Sequence, residues 1–392
     1  MKKVFLILLA VVLALSVGLI GCAGQQEEEE EEPGDRQVIT LDFCTFWGPG
    51  DFQYKGDPDL YDGYTDMGFT AWMKAITAEV EANTPNDETG YTIEWNTSSA
   101  APPDLWTGVL AGTYDVIASG PGYTSGIFDL WSGPQLAATL ERPNAYAMSM
   151  AAQALYDEFG PAKAEFDASG VKVMHLWDTG PGYFLMTEGN AIDELADFAA
   201  LTEPIRAPTT PSADTIEALG GTALKCPMSQ ALEEFAAGTI SGIHTPTDTP
   251  VGFALGEYVR SGVFAPFSYQ FVFMKVMCQD TWDDLPDEVQ DVFDDVNAVW
   301  PEYYGKLRTW GEAFGLQYCF DEVEGFTMLD LPNEDPAEYA IWVAACEHLI
   351  VDWIGTDTNK QDVWDTYVDL DAEMAAAYGD WTPSTAPPSP PY

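Results

Sequence analysis

Arg206 stands at the end of the apolar stretch Pro204-Ile205-Arg206-Ala207, a few residues before Ser212, where a helix over 212–219 is expected to open. A guanidinium beside the amides of Ser212 to Asp214 offers a carboxylate a bidentate pair and the positive end of a helix together. The chain has only five arginines against 64 Asp and Glu, so capturing an anion requires a local device of this kind. The plain reading of the same residue is a structural ion pair with a neighbouring acid. Two Gly-Pro-Gly turns, at 120–122 and 180–182, each follow an expected strand. Such strand exits are where open α/β sheets place ligands, although each turn also reads as a simple connection. Trp47, Tyr123 and Tyr183 sit at or near strand exits and could wall a site against a ring or alkyl chain, or lie in the core.

Other chemistry is sparse. The sequence has no Gly-x-Ser-x-Gly, no His-Glu-x-x-His, no Walker loop and no dinucleotide fingerprint. His175, His244 and His348 are scattered without a second ligand at metal spacing, and His175 reads as a core residue. Asp57, Asp59 and Asp62 beside Gly63 loosely suggest a calcium loop but break the EF-hand order, so a solvated acidic loop is expected. No metal and no cofactor are expected. Cys44, Cys226, Cys278, Cys319 and Cys346 show no Cys-x-x-Cys spacing, and their disulfide status stays open between one bridge and buried thiols.

The composition narrows the partners. The 392 residues are 46% hydrophobic, enough for a well-buried core in one large or two ordinary domains. Fifteen Lys and Arg against 64 acids give a formal charge of −49. A nucleic-acid partner is excluded, because phosphate binding needs a basic stripe. The acid excess points to solubility and to a saline habitat in which salt screens the self-repulsion.

The elements that must position these residues follow from periodicity. Alternation predicts a strand over 38–46, and apolar residues at three- and four-residue steps from Phe69 to Val80 predict a helix. A strand over 91–95, a helix over 105–111 and a strand over 115–119 follow. A second set comprises strands over 171–177, 204–207, 224–226 and 240–243, with helices over 212–219 and 229–237 that open at Ser and stop before Gly220 and Gly238. Short alternating connections imply two α/β units with mostly parallel, twisted sheets. Beyond a strand over 271–277, a long helix from Leu285 carries Pro301, a possible kink. The last hundred residues read as helical, with Trp342, Cys346 and Ile350 on one face, before a Pro-rich tail without a core.

The N-terminus reads as an address. Lys2 and Lys3 precede an apolar run, small residues and then Leu19-Ile20-Gly21-Cys22, the order of a lipoprotein signal in which Cys22 is lipidated and becomes the mature N-terminus. The acidic run from Gln25 to Glu32 then acts as an extended tether.

From 38 to 378 the residues resemble the extracytoplasmic solute-binding proteins of tripartite ATP-independent periplasmic (TRAP) transporters, DctP type. The stretch Ile192 through Asp197-Phe198 to Pro204-Ile205-Arg206 is similar to that family's Asp-Leu-Lys-Gly-Leu-Lys-Ile-Arg segment. Leu219-Gly220-Gly221, Pro227-Met228 and Phe235-Ala236-Ala237-Gly238-Thr239-Ile240-Ser241-Gly242 match its next motifs, and Gly112-Thr113-Tyr114-Asp115 and Trp282-Asp283-Asp284-Leu285-Pro286 resemble two more.

The resemblance implies a two-lobed α/β periplasmic-binding-protein-like fold, with hinge strands and a long helix spanning the lobes. It implies a receptor, not an enzyme, that closes on an organic acid with Arg206 clamping the carboxylate. Thr209 and Thr245 would line the cleft, and Tyr269 and Gln270 would fall in the segment returning through the hinge. Met186 occupies the place of a second arginine found in some members, which suggests a monocarboxylate with an apolar or aromatic remainder. No Glu or Gln paired with Trp follows Gly242, which disfavours a cation-bridged substrate. The expected division is a signal peptide over 1–21, a lipid-anchored linker over 22–36, lobe I over 37–183 plus 272–311, lobe II over 184–271 plus 312–378, and a tail over 379–392. The loop from Asp51 to Asp66 is longer than the family pattern. The expected partners are a small carboxylate, the integral membrane subunits of the transporter, and the membrane through the lipid, with the receptor itself a monomer at the bacterial cell envelope. Rival readings are a sensor subunit for a membrane kinase and a surface hydrolase using the same cleft.

Overall fold

The computed structural model describes residues 36–47, 68–124, 126–138, 140 and 142–392. The expected signal peptide, Cys22, most of the acidic linker and the loop from Asp51 to Asp66 lie outside these residues.

Two sheets form the framework. The strands in chain order are β1 (Gln37–Thr45), β2 (Tyr91–Ser99), β3 (Val116–Ser119), β4 (Val171–Asp178), β5 (Tyr183–Thr187), β6 (Ile205–Ala207), β7 (Ala223–Lys225), β8 (Gly242–Thr245), β9 (Val259–Phe264), β10 (Val272–Cys278) and β11 (Thr327–Asp330). The first sheet runs β2-β1-β3-β10-β4 and the second β11-β9-β5-β8-β6-β7. The sequence-derived α/β units are the parallel parts: β1 pairs with β2 and β3, and β6 pairs with β7 and β8, all parallel. Both sheets are nonetheless mixed. β10 runs antiparallel to β3 and β4, and β5 runs antiparallel to β8 and β9. The physical reason is the crossing. The chain leaves the first sheet at the end of β4, enters the second as β5, and returns from β9 to β10, so each sheet receives strands of reversed sense.

Several boundaries move. The helix expected to open at Ser212 spans Thr210–Ala218 with Thr209 as its N-cap, and the next spans Met228–Ala237 after Pro227, not Ser229. Gly238 does end the latter in a left-handed conformation at φ 66°, which glycine adopts without a Cβ clash. Strands β5, β9 and β11 and the helices Ala145–Glu158 and Gly160–Asp167 had no sequence-based expectation.

The helix Asp287–Glu322 runs 36 residues, about 54 Å at the usual rise. It continues through Pro301, packs along the helices Phe69–Asn83 and Ala145–Glu158 and against β4, and reaches the short helix Thr249–Gly252 beside the second sheet. Assigning 312–378 wholly to lobe II needs correction. The helix Thr358–Tyr378 packs on Ala145–Glu158, and its Val363, Tyr367 and Leu370 join the first sheet's core. Trp342 and Cys346 do belong to the second core, packed with Phe184 and Phe198.

The tail is also bound, contrary to expectation. Trp381 meets Tyr146 edge-on, Thr385 O accepts from Trp310 Nε1 at 3.4 Å, and Tyr392 stacks on Trp300. Rings and a carbonyl anchor this proline-rich segment without regular structure. All five cysteines left open above are buried free thiols.

Candidate ligand-binding site

Strand β6 explains the placement of Arg206. Ile205 and Ala207 point into the core shared with Trp342, so the pleat sends Arg206 to the other face. There it is 1% exposed, and its Nε donates to Cys226 O at 2.9 Å. Among the described residues, its Nη2 has no hydrogen-bond partner. The strand is flanked on both sides by parallel neighbours, Arg206 lying opposite Leu224 and Ile243. A charge fixed this way has its geometry set before any ligand arrives.

Arg206 lines a narrow cavity between the two sheets, about 40 Å³ in volume. Phe46, Trp47 and Phe273 come from the first sheet, and Pro208, Met228, Thr245, Asp248, Thr249 and Phe253 from the second. Thr179, Tyr269, Phe271 and Arg308 close it at the hinge. The aromatic wall is a packed unit: Trp47 stacks on Phe46 at 3.7 Å and lies 4.9 Å from Phe273, and Tyr123 meets Phe271 edge-on at 4.8 Å. Burial pushes the Tyr123 hydroxyl up to about 12, against the opposing pull of Arg206 beside it. Burial likewise raises Tyr269, again with Arg206 opposing.

Behind this wall, His244 is held neutral. Its Nδ1 pairs with Ser212 Oγ at 2.8 Å, its Nε2 pairs with Ser268 Oγ at 3.0 Å, and its ring stacks on Phe184. Burial first, then the charges of Arg206 and Arg142, lower it to about 3. It thus adds no positive charge beside the guanidinium.

Of the residues singled out from sequence, Arg206, Trp47, Tyr123, Thr245 and Tyr269 meet at the cavity. Four others do not line it. Thr209 caps the helix Thr210–Ala218, its hydroxyl accepting from the Ser212 N–H at 3.4 Å. The helix N-terminus expected to assist Arg206 is therefore partly closed by its own cap. Met186 is fully buried in the second core, because it shares the β5 face of Phe184. Tyr183 points to the opposite β5 face and packs on Phe264 at 4.8 Å. Gln270 turns away, its Nε2 donating to the Tyr367 hydroxyl.

Two charged residues were missed. Arg308, on the long helix, pairs with Asp248 at 2.8 Å and donates to Thr179 O at 3.2 Å. The sequence signals were present: a single arginine among Tyr304, Leu307 and Trp310, and an aspartate in the Thr/Pro-rich exit from β8. This pair joins the long helix, the hinge and the second sheet at one point.

The model of bacterial extracellular solute-binding proteins, family 7 (DctP), matches residues 96–344. The chain belongs to this family. Solved structures of TRAP solute-binding proteins share the fold. A TRAP solute-binding protein from Rhodoferax ferrireducens T118, in complex with copurified benzoate, superposes with a TM-score of 0.71 at 19% identity, covering 86% of this chain and 99% of that one. A marine metagenome TRAP solute-binding protein specific for aromatic acid ligands, with 3-hydroxybenzoate, gives 0.70 at 22% identity and the same coverage. A Bordetella bronchiseptica TRAP protein with bound (R)- and (S)-mandelate gives 0.71 at 17% identity, again covering 86% and 99%. No curated protein matches this sequence. Among the described residues, no helix of this DctP protein is long and apolar enough to cross a membrane.

Proposed function

We propose that this DctP-family protein is an extracytoplasmic receptor for an aromatic monocarboxylate, which it hands to the membrane subunits of a TRAP transporter. The observation that carries this reading is Arg206, a buried guanidinium with an unpartnered Nη2 in a cavity walled by Phe46, Trp47, Tyr123, Phe271 and Phe273. A carboxylate supplies the missing acceptor, and the rings supply an apolar surface that selects a flat remainder. Benzoate, 3-hydroxybenzoate and mandelate in the structurally similar proteins support the same ligand class. Binding closes the lobes because the ligand touches both sheets only in the closed form.

In this reading Cys22 carries the lipid, and the acidic segment after it holds the receptor in the periplasm or at the outer face of the membrane. Mass spectrometry of the mature N-terminus tests the anchor, with a diacylglyceryl adduct on Cys22 expected. The ligand class is tested by a thermal-shift screen of aromatic and aliphatic acids, sugars and amino acids. A ligand at a hundred times its Kd adds about 2.7 kcal/mol to stability. Aromatic acids should raise the midpoint and sugars should not; stabilisation by sugars alone would overturn the proposal.

A further inference from the structure

Among the described residues, three buried polar atoms on the cavity residues lack partners, Arg206 Nη2, Asp248 Oδ1 and the Thr179 hydroxyl, and the first two are of opposite kind. Arg206 Nη2 is a charged donor without an acceptor, and Asp248 Oδ1 is an acceptor without a donor. Both residues line the cavity, and they are 1% and 4% exposed. An unpaired polar atom at such depth is costly, so a ligand that satisfies both gains over one that satisfies neither.

Asp248 is held in place without using Oδ1. Its Oδ2 is fixed by Arg308 at 2.8 Å. It stands at the N-cap position of the helix Thr249–Gly252, where an aspartate commonly accepts a backbone amide, yet its side chain makes no capping bond. Arg308 already balances the Asp248 charge, so a ligand ammonium brought there would add an uncompensated charge to a buried site. A neutral donor adds none.

We propose that the ligand is a hydroxylated aromatic acid, its carboxylate on Arg206 and its hydroxyl donating to Asp248 Oδ1. This rests on the carboxylate reading above and names the feature that distinguishes the preferred acid from its unsubstituted parent. Arg308 is then a positioning residue: it aims the Asp248 carboxylate and cancels its charge. A site built to accept a hydrogen bond discriminates strongly against an analogue lacking the donor, because the acceptor is then buried unpaired.

The test is isothermal titration calorimetry of the mature full-length protein with benzoate and phenylacetate, each compared with its three ring-hydroxy isomers. At least one isomer should bind tenfold or more tighter than its parent. Asp248→Ala should shrink that gap below threefold, while Asp248→Asn, which keeps a carbonyl acceptor, should retain part of it. A gap that persists in a folded Asp248→Ala protein overturns the assignment. Should that variant not fold, the wild-type ratio of isomer to parent still decides. If a parent acid binds and no hydroxy isomer binds tighter, this inference fails and the carboxylate reading stands. If no acid binds, both fail.

Discussion

A Cβ on Gly180 would lie 1.7 Å from Oε1 of Glu312. Gly180 belongs to the first crossing between the sheets and has φ 103°, where only glycine is unstrained. Glu312 comes from the long helix, is buried, and is held well above its usual pKa by burial, with Asp248 and Asp178 adding repulsion. The hinge backbone and the long helix thus touch through a buried acid, with no space between them for a methyl group.

Gly180→Ala should therefore destabilise the protein by about 2–5 kcal/mol, combining overpacking with left-handed backbone strain. Urea unfolding measures this. Adding Glu312→Ala should recover the overpacking share and leave the backbone share, so the double variant should be more stable than Gly180→Ala alone. Simple additivity of the two losses would show that the contact does not exist in solution.

Arg206→Ala should weaken binding of the native acid by about 3–5 kcal/mol, two decades or more, since the carboxylate would be buried unpaired. Arg206→Lys should recover little. An ammonium has no planar fork, and it would lose the fixed Nε bond to Cys226 O that orients the guanidinium. Calorimetry on the three proteins decides it, and near wild-type affinity in Arg206→Ala would remove the clamp.

Met186→Ala should do the opposite. The side chain is fully buried in the second core, with Phe184 on the same strand face, so the cost is about 2–5 kcal/mol of folding stability. Ligand affinity should stay within twofold of wild type, measured well below the variant's unfolding midpoint. A large affinity loss at unchanged stability would return Met186 to the site.

The sequence GPGY occurs twice and shows where sequence reading stops. Gly120-Pro121-Gly122-Tyr123 becomes a turn of 3₁₀ helix and delivers Tyr123 to the cavity. Gly180-Pro181-Gly182-Tyr183 feeds a strand and buries Tyr183 against Phe264. Local chemistry is the same; what differs is whether the next residues find a sheet edge, and that is a tertiary fact. Arg206 was legible because its strand, its turn and the following helix each leave a short-range signal. Asp248 and Arg308 form their pair across 60 positions of chain, and no local pattern encodes such a distance. Strand β5 escaped for a related reason. Buried on both faces, Tyr183-Phe184-Leu185-Met186 shows no alternation, and its antiparallel pairing depends on the chain having crossed from another sheet.

Stability should fall as pH rises through the weakly acidic range, and Asp178 is one of the sensors. It is fully buried at the end of β4, and burial pushes its pKa up from 3.8 to about 6, against the pull of the Gly180 N–H, Gln270, Arg142 and Arg308. Its Oδ1 accepts from the Gly180 N–H at 3.0 Å, while among the described residues Oδ2 has no partner. Because the folded state holds this proton more tightly than the unfolded chain, protonated Asp178 contributes stability that is fully present below about pH 4 and is lost by about pH 6. The loss is on the order of a few kcal/mol. Glu312, raised for the same reason, acts in the same direction. Asp178→Asn keeps an oxygen for the Gly180 N–H and cannot ionise. Its stability relative to wild type should therefore climb between pH 4 and pH 6 and then level off. Urea midpoints of both proteins across pH 4–8 measure this, and a difference that does not change with pH would mean that Asp178 is already ionised throughout the range.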